Sequence, residues 1–374
     1  LQEFHLVSFN IPYPADNGGL IDVFCKVKSL HKAGAAIHLH CYAYGRAQAP
    51  ELEKYCTSVR YYPRSGFLSS LFTSKPYIVS SRNSETLREV LRKDDLPVVL
   101  EGLHTTALLE YPEFGNRRIY VRTHNIEHEY YGRLADVESN PLKKLYFKEE
   151  SRRLKAYEPI LQRSAGIFAI SAADTDWFSR YNKNCHRISA FHLLDSPDIP
   201  KGTGKGVVYH GSLDVAENRH AALWIAKEIA PGLPYSFIIA GKNPGAELER
   251  AAAKSGNIRI ISDTDTKGIQ QLVSEAHINL LPTFQSTGIK LKLLLALFSG
   301  RHCLVNSPMV DKTGLESVCH KADTAAEMRA AIEKLMRIEM TDEEIRNREA
   351  LLNGDFSNDV NAKRMLEILR STQS

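Results

Sequence analysis

No CxxC pair occurs anywhere in the 374 residues. The six cysteines (Cys25, Cys41, Cys56, Cys185, Cys303 and Cys319) are scattered, which argues against a zinc ribbon or dithiol redox site and favours buried, reduced thiols. GxGxxG is also missing from both βαβ openings, with no acid about twenty residues on, so a nicotinamide dehydrogenase is disfavoured. No run approaches the roughly 18 apolar residues that cross a bilayer; LKLLLALF is short and interrupted by Lys292. The opening LQEFHLVSFN has neither a basic n-region nor an apolar h-region, so no signal peptide is expected and the expected location is cytoplasmic. Strong charge is lacking too. The formal net charge is +4, with 26 Lys and Arg against 21 Asp and Glu in residues 1–190, and 22 against 23 in 191–374. That is too weak for nucleic acid, where a domain pI above roughly 9 is expected. A mildly basic first half is compatible with an anionic membrane surface or a phosphorylated partner.

What the chain has is length and rhythm. It is too long for one ordinary core, and 43% hydrophobic with 25% charged residues suits two globular domains. FHLVSFN (4–10) reads as a strand, IPYPADNGG as a loop carrying Gly18 and Gly19, LIDVFCKVKSLHKAG as a helix and AAIHLHCY as the next strand. LPVVLEGLH (96–104), RRIYVRTHN (117–125) and AGIFAIS (165–171) follow as buried parallel strands, with helices at SETLREVLRK and from Pro141 to Arg163. FHLLDSPDIPKGTGKG (191–206) is rich in Pro, Gly and Asp and reads as a hinge. Beyond it the rhythm restarts with GVVYHG, YSFIIAGK, NIRIIS, HINLLP and HCLVN as strands between helices.

Several motifs need weighing. HNIEH (124–128) fits the inverted zinc-peptidase pattern, but it starts at a strand end rather than inside a helix. Open α/β sheets place ligands beyond the carboxyl ends of their strands, so His124 is a candidate active-site residue without a metal, or else a structural histidine. DTD at 174–176 and 263–265 is better explained by helix N-terminal acids and caps than by a metal site. His38 and His40 share a strand face, with no third ligand nearby in sequence. Residues 64–75 place Phe67, Leu68, Leu71 and Phe72 between Arg64 and Lys75, which is either a small packed helix or a peripheral contact with the inner face of a membrane.

In LPTFQSTGIKLKLLLALFSG (281–300), a strand end and a small-residue loop lead into an apolar helix whose first turn carries Lys290 and Lys292. Two cations there oppose the helix dipole, by a few tenths of a kcal/mol each. The placement makes sense if an anion sits on the helix N-terminus, whose backbone N–H groups are unpaired. Solvated lysines that keep a greasy helix soluble are the alternative.

GVVYHGSLDVAENRHAALWIAKEIAP, FIIAGKNP and STGIKLKLLLALFSGRHCLVN, in this order, resemble the donor half of GT-B glycosyltransferases of the family-four retaining type. The resemblance covers most of residues 206–306, and extends more loosely to PADNGG and THNIEHEYY. It implies an α/β fold of two Rossmann-like domains facing across a cleft. The expected divisions are an acceptor domain over 1–190, a linker over 191–205, a nucleotide-sugar donor domain over 206–356 and a helix over 357–374 crossing back. The implied reaction moves a sugar from a nucleotide diphosphate sugar to a glycan or lipid-linked acceptor, with retention and without a metal, in surface polysaccharide synthesis. The implied catalytic residues are His124, Lys290 and Lys292, with Gly18, Gly19, Gly211, Ser212, Lys242, Ser286, Thr287, Gly288 and Ile289 at the donor. Two departures bear on activity. Leu295 stands where such enzymes carry a ribose-binding glutamate, and Asn218 where many have a phosphate-binding lysine. A leucine accepts no hydrogen bond, so a catalytically silent GT-B protein binding a sugar nucleotide or a partner transferase is the competing expectation.

Overall fold

The computed structural model describes residues 2–66, 73–138, 140–284 and 290–371. The chain divides into two compact α/β units, Leu1–Leu193 with Asp355–Ser374, and Leu194–Gly354. Residues 191–193 of the hinge-like stretch thus lie in the first unit and 194–205 in the second.

The first unit is built on a seven-stranded sheet: β1 (Gln2–Ser8), β2 (Ala35–Ala43), β3 (Ser58–Pro63), β4 (Val98–Glu101), β5 (Ile119–Arg122), β6 (Gly166–Ala169) and β7 (Cys185–Arg187). Its order is β3-β2-β1-β4-β5-β6-β7, with parallel pairing throughout. Strands covered on both faces show no polar alternation, and every residue of VVLE, IYVR and GIFA is buried. The two faces carry separate cores. Phe4, Leu6, Val99 and Phe168 belong to one, and Val7, Leu100, Val121 and Ile167 to the other. The helix Asn358–Ser371 places Ala362, Met365, Leu366 and Leu369 in the first of these cores, next to the helix Gly18–Lys32.

The second unit has six strands: β8 (Val207–His210), β9 (Phe237–Ala240), β10 (Ile258–Ile261), β11 (Ile278–Leu281), β12 (His302–Val305) and β13 (His320–Lys321). They are ordered β10-β9-β8-β11-β12-β13, again all parallel. Strand order reverses between β1 and β4 in the first sheet and between β8 and β11 in the second. Such switch points open a crevice beyond the strand carboxyl ends.

Four boundaries differ from the sequence reading. Gly18 and Gly19 are the first residues of a helix, Gly18–Lys32, capped by Asn17, and not part of the loop. The strand expected over 96–104 stops at Glu101, because Gly102 turns into the left-handed region at φ 71 and starts the 3-10 segment Leu103–Glu110. The long helix runs as α only over Pro141–Tyr157. Pro159 lacks the N–H that would continue it, and Glu158–Arg163 tightens to 3-10. The helix of the 281–300 stretch spans Leu291–Ser299, with Lys290 at its cap rather than inside its first turn. In the two DTD segments, Asp265 caps the helix Thr266–Glu275, and Asp174 lies in the first turn of the helix Ala172–Phe178, which Ser171 caps.

Among the described residues, no third ligand joins His38 and His40 in a metal site; they belong to a polar ladder on the sheet. His5 Nδ1 lies 2.8 Å from His40 Nε2, His5 Nε2 3.1 Å from Asp94, and His40 Nδ1 2.8 Å from the Tyr62 hydroxyl. His38 bonds Ser58 and Glu3 at 2.8 Å each. Burial lowers the His40 pKa to about 3, and it does the same for His210, also to about 3, and for His320, to about 4. These histidines stay neutral when folded but take up protons near 6.5 when unfolded. Stability is therefore full above about pH 6.5 and falls as pH drops toward 4, by up to about 1.4 kcal/mol per pH unit per histidine. Melting temperatures measured from pH 7 to 4 are expected to fall in that window, with a shallower slope in His40→Gln.

Candidate active site

At the first sheet's switch point, charge is packed where water does not reach. Asp22 and Lys26 lie one turn apart on the inner side of the helix Gly18–Lys32, Glu101 ends β4 and Arg122 ends β5; all four are buried. Lys26 Nζ sits 2.9 Å from Asp22 Oδ2 and 2.7 and 2.8 Å from the two Glu101 oxygens. Arg122 donates to Asp22 Oδ1 at 3.0 Å and to the carbonyls of Ile188 and Ser189, while Phe191 N adds a bond to Asp22 Oδ1 at 2.8 Å. Burial alone would raise the Asp22 pKa, but Arg122 and then Lys26 outweigh it and hold the carboxyl far below its usual range. Glu101 is lowered likewise: burial opposes, and Lys26 and the His124 hydrogen bond prevail.

His124 is set on this cluster. Its Nε2 lies 2.9 Å from Glu101 Oε2, and its Nδ1 is 3.8 Å from Asp22 Oδ2. An ionised carboxylate only accepts, so the proton sits on Nε2 and the ring orientation is fixed from behind. Phe9 packs edge-on to the imidazole, with centroids 5.5 Å apart. A Cβ at Gly19 would lie 3.0 Å from the Phe9 ring tip, so the absence of a side chain there leaves room for the phenyl. Gly19 and His124 are thus linked through Phe9. Gly18 precedes them at the helix start with open space where a Cβ would be.

Asp22, Glu101 and His124 are also the one group among the described residues spaced to hold a metal ion. The Lys26 ammonium already bridges both carboxylates, so the arrangement is internally neutralised. HNIEH does not assemble as a zinc pair. His124 precedes the helix Glu127–Val137 and faces Glu101, whereas His128 Nδ1 is 3.4 Å from Glu158. Glu127 is buried beside Glu158, and burial followed by that neighbour pushes its pKa to about 8.

In the second unit the described donor candidates lie at the carboxyl ends of β8 and β9, and the two lysines at the start of the helix that follows β11. Gly211 and Ser212 follow β8. A Cβ on Gly241 would collide with the Gly211 carbonyl, so the β9 end lies against the β8 loop and carries the exposed Lys242 beside it. Asn218, in the helix Ala216–Trp224, donates to the Ser212 carbonyl at 2.9 Å and accepts from Lys292 Nζ at 2.9 Å. Lys292 also reaches the Tyr209 hydroxyl at 3.4 Å and sits over that ring, 5.0 Å from its centroid. Burial lowers the Lys292 pKa to about 8, with Glu217 pulling upward and Lys290 downward. Lys290 Nζ is 3.6 Å from Glu217, whose carboxylate also accepts from Thr283. Leu295 is half-buried in the same helix as Lys292. Ser286, Thr287, Gly288 and Ile289 lie outside the described residues.

Asp22, Lys26, Glu101 and Arg122 were not singled out from the sequence, nor were Tyr209 and Glu217. One signal was available: Asp22 and Lys26 fall at i,i+4 on a helix, and Glu101 and Arg122 close strands that are otherwise apolar. Of residues 64–75, Phe67, Leu68, Leu71 and Phe72 lie outside the described residues. Arg64 stacks on Tyr44 and Tyr77 at 4.4 and 4.6 Å, and Lys75 pairs with Glu110. No helix among the described residues is long and apolar enough to cross a membrane.

Removing Lys26 would leave two carboxylates buried without their shared cation. Breaking a buried pair from one side typically costs about 3–5 kcal/mol. Lys26→Met is therefore expected to lower unfolding free energy by that amount in chemical denaturation. A loss below about 1 kcal/mol, the scale of an exposed pair, would mean that the carboxylates are solvated.

No protein-family model matches the chain. It is 26% identical over 313 residues to an uncharacterised 44.6 kDa protein in the cps region of Klebsiella pneumoniae, covering 78% of this chain and 79% of that one. Among solved structures, sucrose-phosphate synthase from Thermosynechococcus elongatus superposes with a TM-score of 0.67 at 14% identity, over 100% of this chain and 99% of the other. A glycosyltransferase from Rickettsia africae gives 0.67 at 13%, over 99% of both chains. The E. coli trehalose-6-phosphate protein bound with UDP-2-fluoro glucose gives 0.58 at 12%, over 98% of both. With its two parallel α/β units and whole-chain likeness to these transferases, the protein has the GT-B fold.

Proposed function

We propose that the protein is a retaining glycosyltransferase that moves a sugar from a nucleotide diphosphate sugar to a glycan or lipid-linked acceptor without a metal. The observation that carries this reading is the Lys292–Asn218 contact of 2.9 Å. In the family this chain resembles, many members carry a phosphate-binding lysine where Asn218 stands. Here a lysine from the neighbouring helix brings its ammonium to that position, beside Gly211 and Ser212 at the switch point. Lys290 at the helix cap adds a second cation. In the reaction the bond from the anomeric carbon to the diphosphate oxygen breaks and one to the acceptor oxygen forms. The acceptor proton passes to the departing diphosphate. Negative charge grows on that diphosphate, where positioned cations and helix-terminal amides contribute most. The resemblance assigns His124, held by Glu101, to the donor sugar, and Gly18 and Gly19 to its phosphates. Lys242 and residues 286–289 complete the proposed donor set. The cps-region relative supports a role in surface polysaccharide synthesis.

A second reading, a silent sugar-nucleotide binder, draws on Leu295 and on the internal partners of the two lysines. Thermal shift with UDP, GDP and other nucleoside diphosphates in EDTA tests both. At a ligand concentration 100 times Kd, stabilisation of about 2.7 kcal/mol is expected for at least one nucleotide, and is lost in a Lys290→Ala, Lys292→Ala variant that keeps wild-type circular dichroism. No response to any nucleotide would refute the donor site. Binding with no release of nucleoside diphosphate from any sugar nucleotide, across acceptors, would favour the silent protein.

A further inference from the structure

The helix Pro141–Tyr157 carries six basic residues, Lys143, Lys144, Lys148, Arg152, Arg153 and Lys155, against Glu149 and Glu150. Its net charge of +4 equals that of the entire chain. The helix is anchored on one side. Glu150 accepts from the Ile78 amide at 3.0 Å, Ser151 donates to the His128 carbonyl at 2.6 Å, and Leu154 is buried. The opposite side is bare. Leu142 is 78% exposed and Leu145 65%, the two highest values among the large hydrophobic residues exposed in the described chain. Scattered exposed leucines are ordinary, but these two stand at i,i+3, and Lys148, Arg152 and Lys155 continue the same face at i+3 and i+4 steps. Glu149, the one acid on that side, is taken up by Arg152 and Arg153 at 2.8 Å each.

We infer that this face is a docking surface for an anionic lipid bilayer, with Leu142 and Leu145 entering the headgroup–acyl boundary and the surrounding lysines and arginines meeting lipid phosphates. Apolar side chains ringed by cations, on a helix whose other side is fixed to a folded unit, match the composition of interfacial helices. Each basic residue near such a surface adds attraction that salt screens. The inference concerns a surface other than 64–75 and does not depend on the reaction proposed above.

Co-sedimentation of the full chain with vesicles tests it. Binding is expected to vesicles of equal parts phosphatidylcholine and phosphatidylglycerol, to be much weaker to phosphatidylcholine alone, and to fall as salt rises. Leu142→Gln with Leu145→Gln should weaken it by about tenfold, as should Lys143→Glu with Lys148→Glu, with melting temperatures unchanged because all four side chains are outside the core. Failure to bind the mixed vesicles, equal binding to both vesicle types, or undiminished binding by the leucine variant would overturn the inference. So would a wild-type dimer that the leucine variant converts to monomer without loss of vesicle binding, which would make the face a protein interface.

Discussion

The first unit depends on keeping four full charges buried at the point where its sheet reverses direction. Lys26 is the key, because its ammonium meets Asp22 and Glu101 at once and brings strand β4 against the first helix. Isolated, any one of these groups would cost several kcal/mol to bury. Together they close on themselves: Arg122 ties Asp22 to β5 and to the carbonyls after β7, and Glu101 spends its remaining capacity on His124. An imidazole held this way has one ring orientation and a proton on the nitrogen that faces Glu101. A well-packed apolar cluster would cost less to assemble but could not supply that polarity behind a ring at the carboxyl end of an interior strand.

The second unit solves a related problem with weaker means. Lys292 is brought in from a helix that is otherwise apolar, and its ammonium touches an amide oxygen and an aromatic face, with Glu217 as the carboxylate that favours its charge. Lys290, in contrast, forms an ion pair with that carboxylate, which an arriving phosphate would have to displace. The two lysines therefore differ in what they offer a ligand, although the sequence presents them as a pair.

Much of the architecture was legible because parallel sheets leave a plain signature. VVLE, IYVR, GIFA and INLL are short, fully buried and mostly apolar runs between helices, and the restart after residue 206 marks the second unit. His124 was legible from its place at a strand end. Its supporting charges were not, since Asp22 and Glu101 are 79 residues apart in sequence and only the β1–β4 crossover brings them together. Element ends were misread where local chemistry overrode pattern: Gly102 turned a strand and Pro159 stopped an α-helix. Likewise, nothing in KLKLLLAL says that Lys292 turns inward toward Tyr209 while Lys290 caps the helix.

Glu101 and its buried cation fix the His124 ring, and the proton on that ring reports the contact directly. Nitrogen–proton correlation spectra of histidine-labelled protein, with His124 assigned through His124→Gln, distinguish the two tautomers of the neutral imidazole. The proton is predicted on Nε2 in the wild type, with mixed tautomers in Glu101→Ala. A proton on Nδ1 in the wild type, or a tautomer indifferent to Glu101→Ala, would contradict the account.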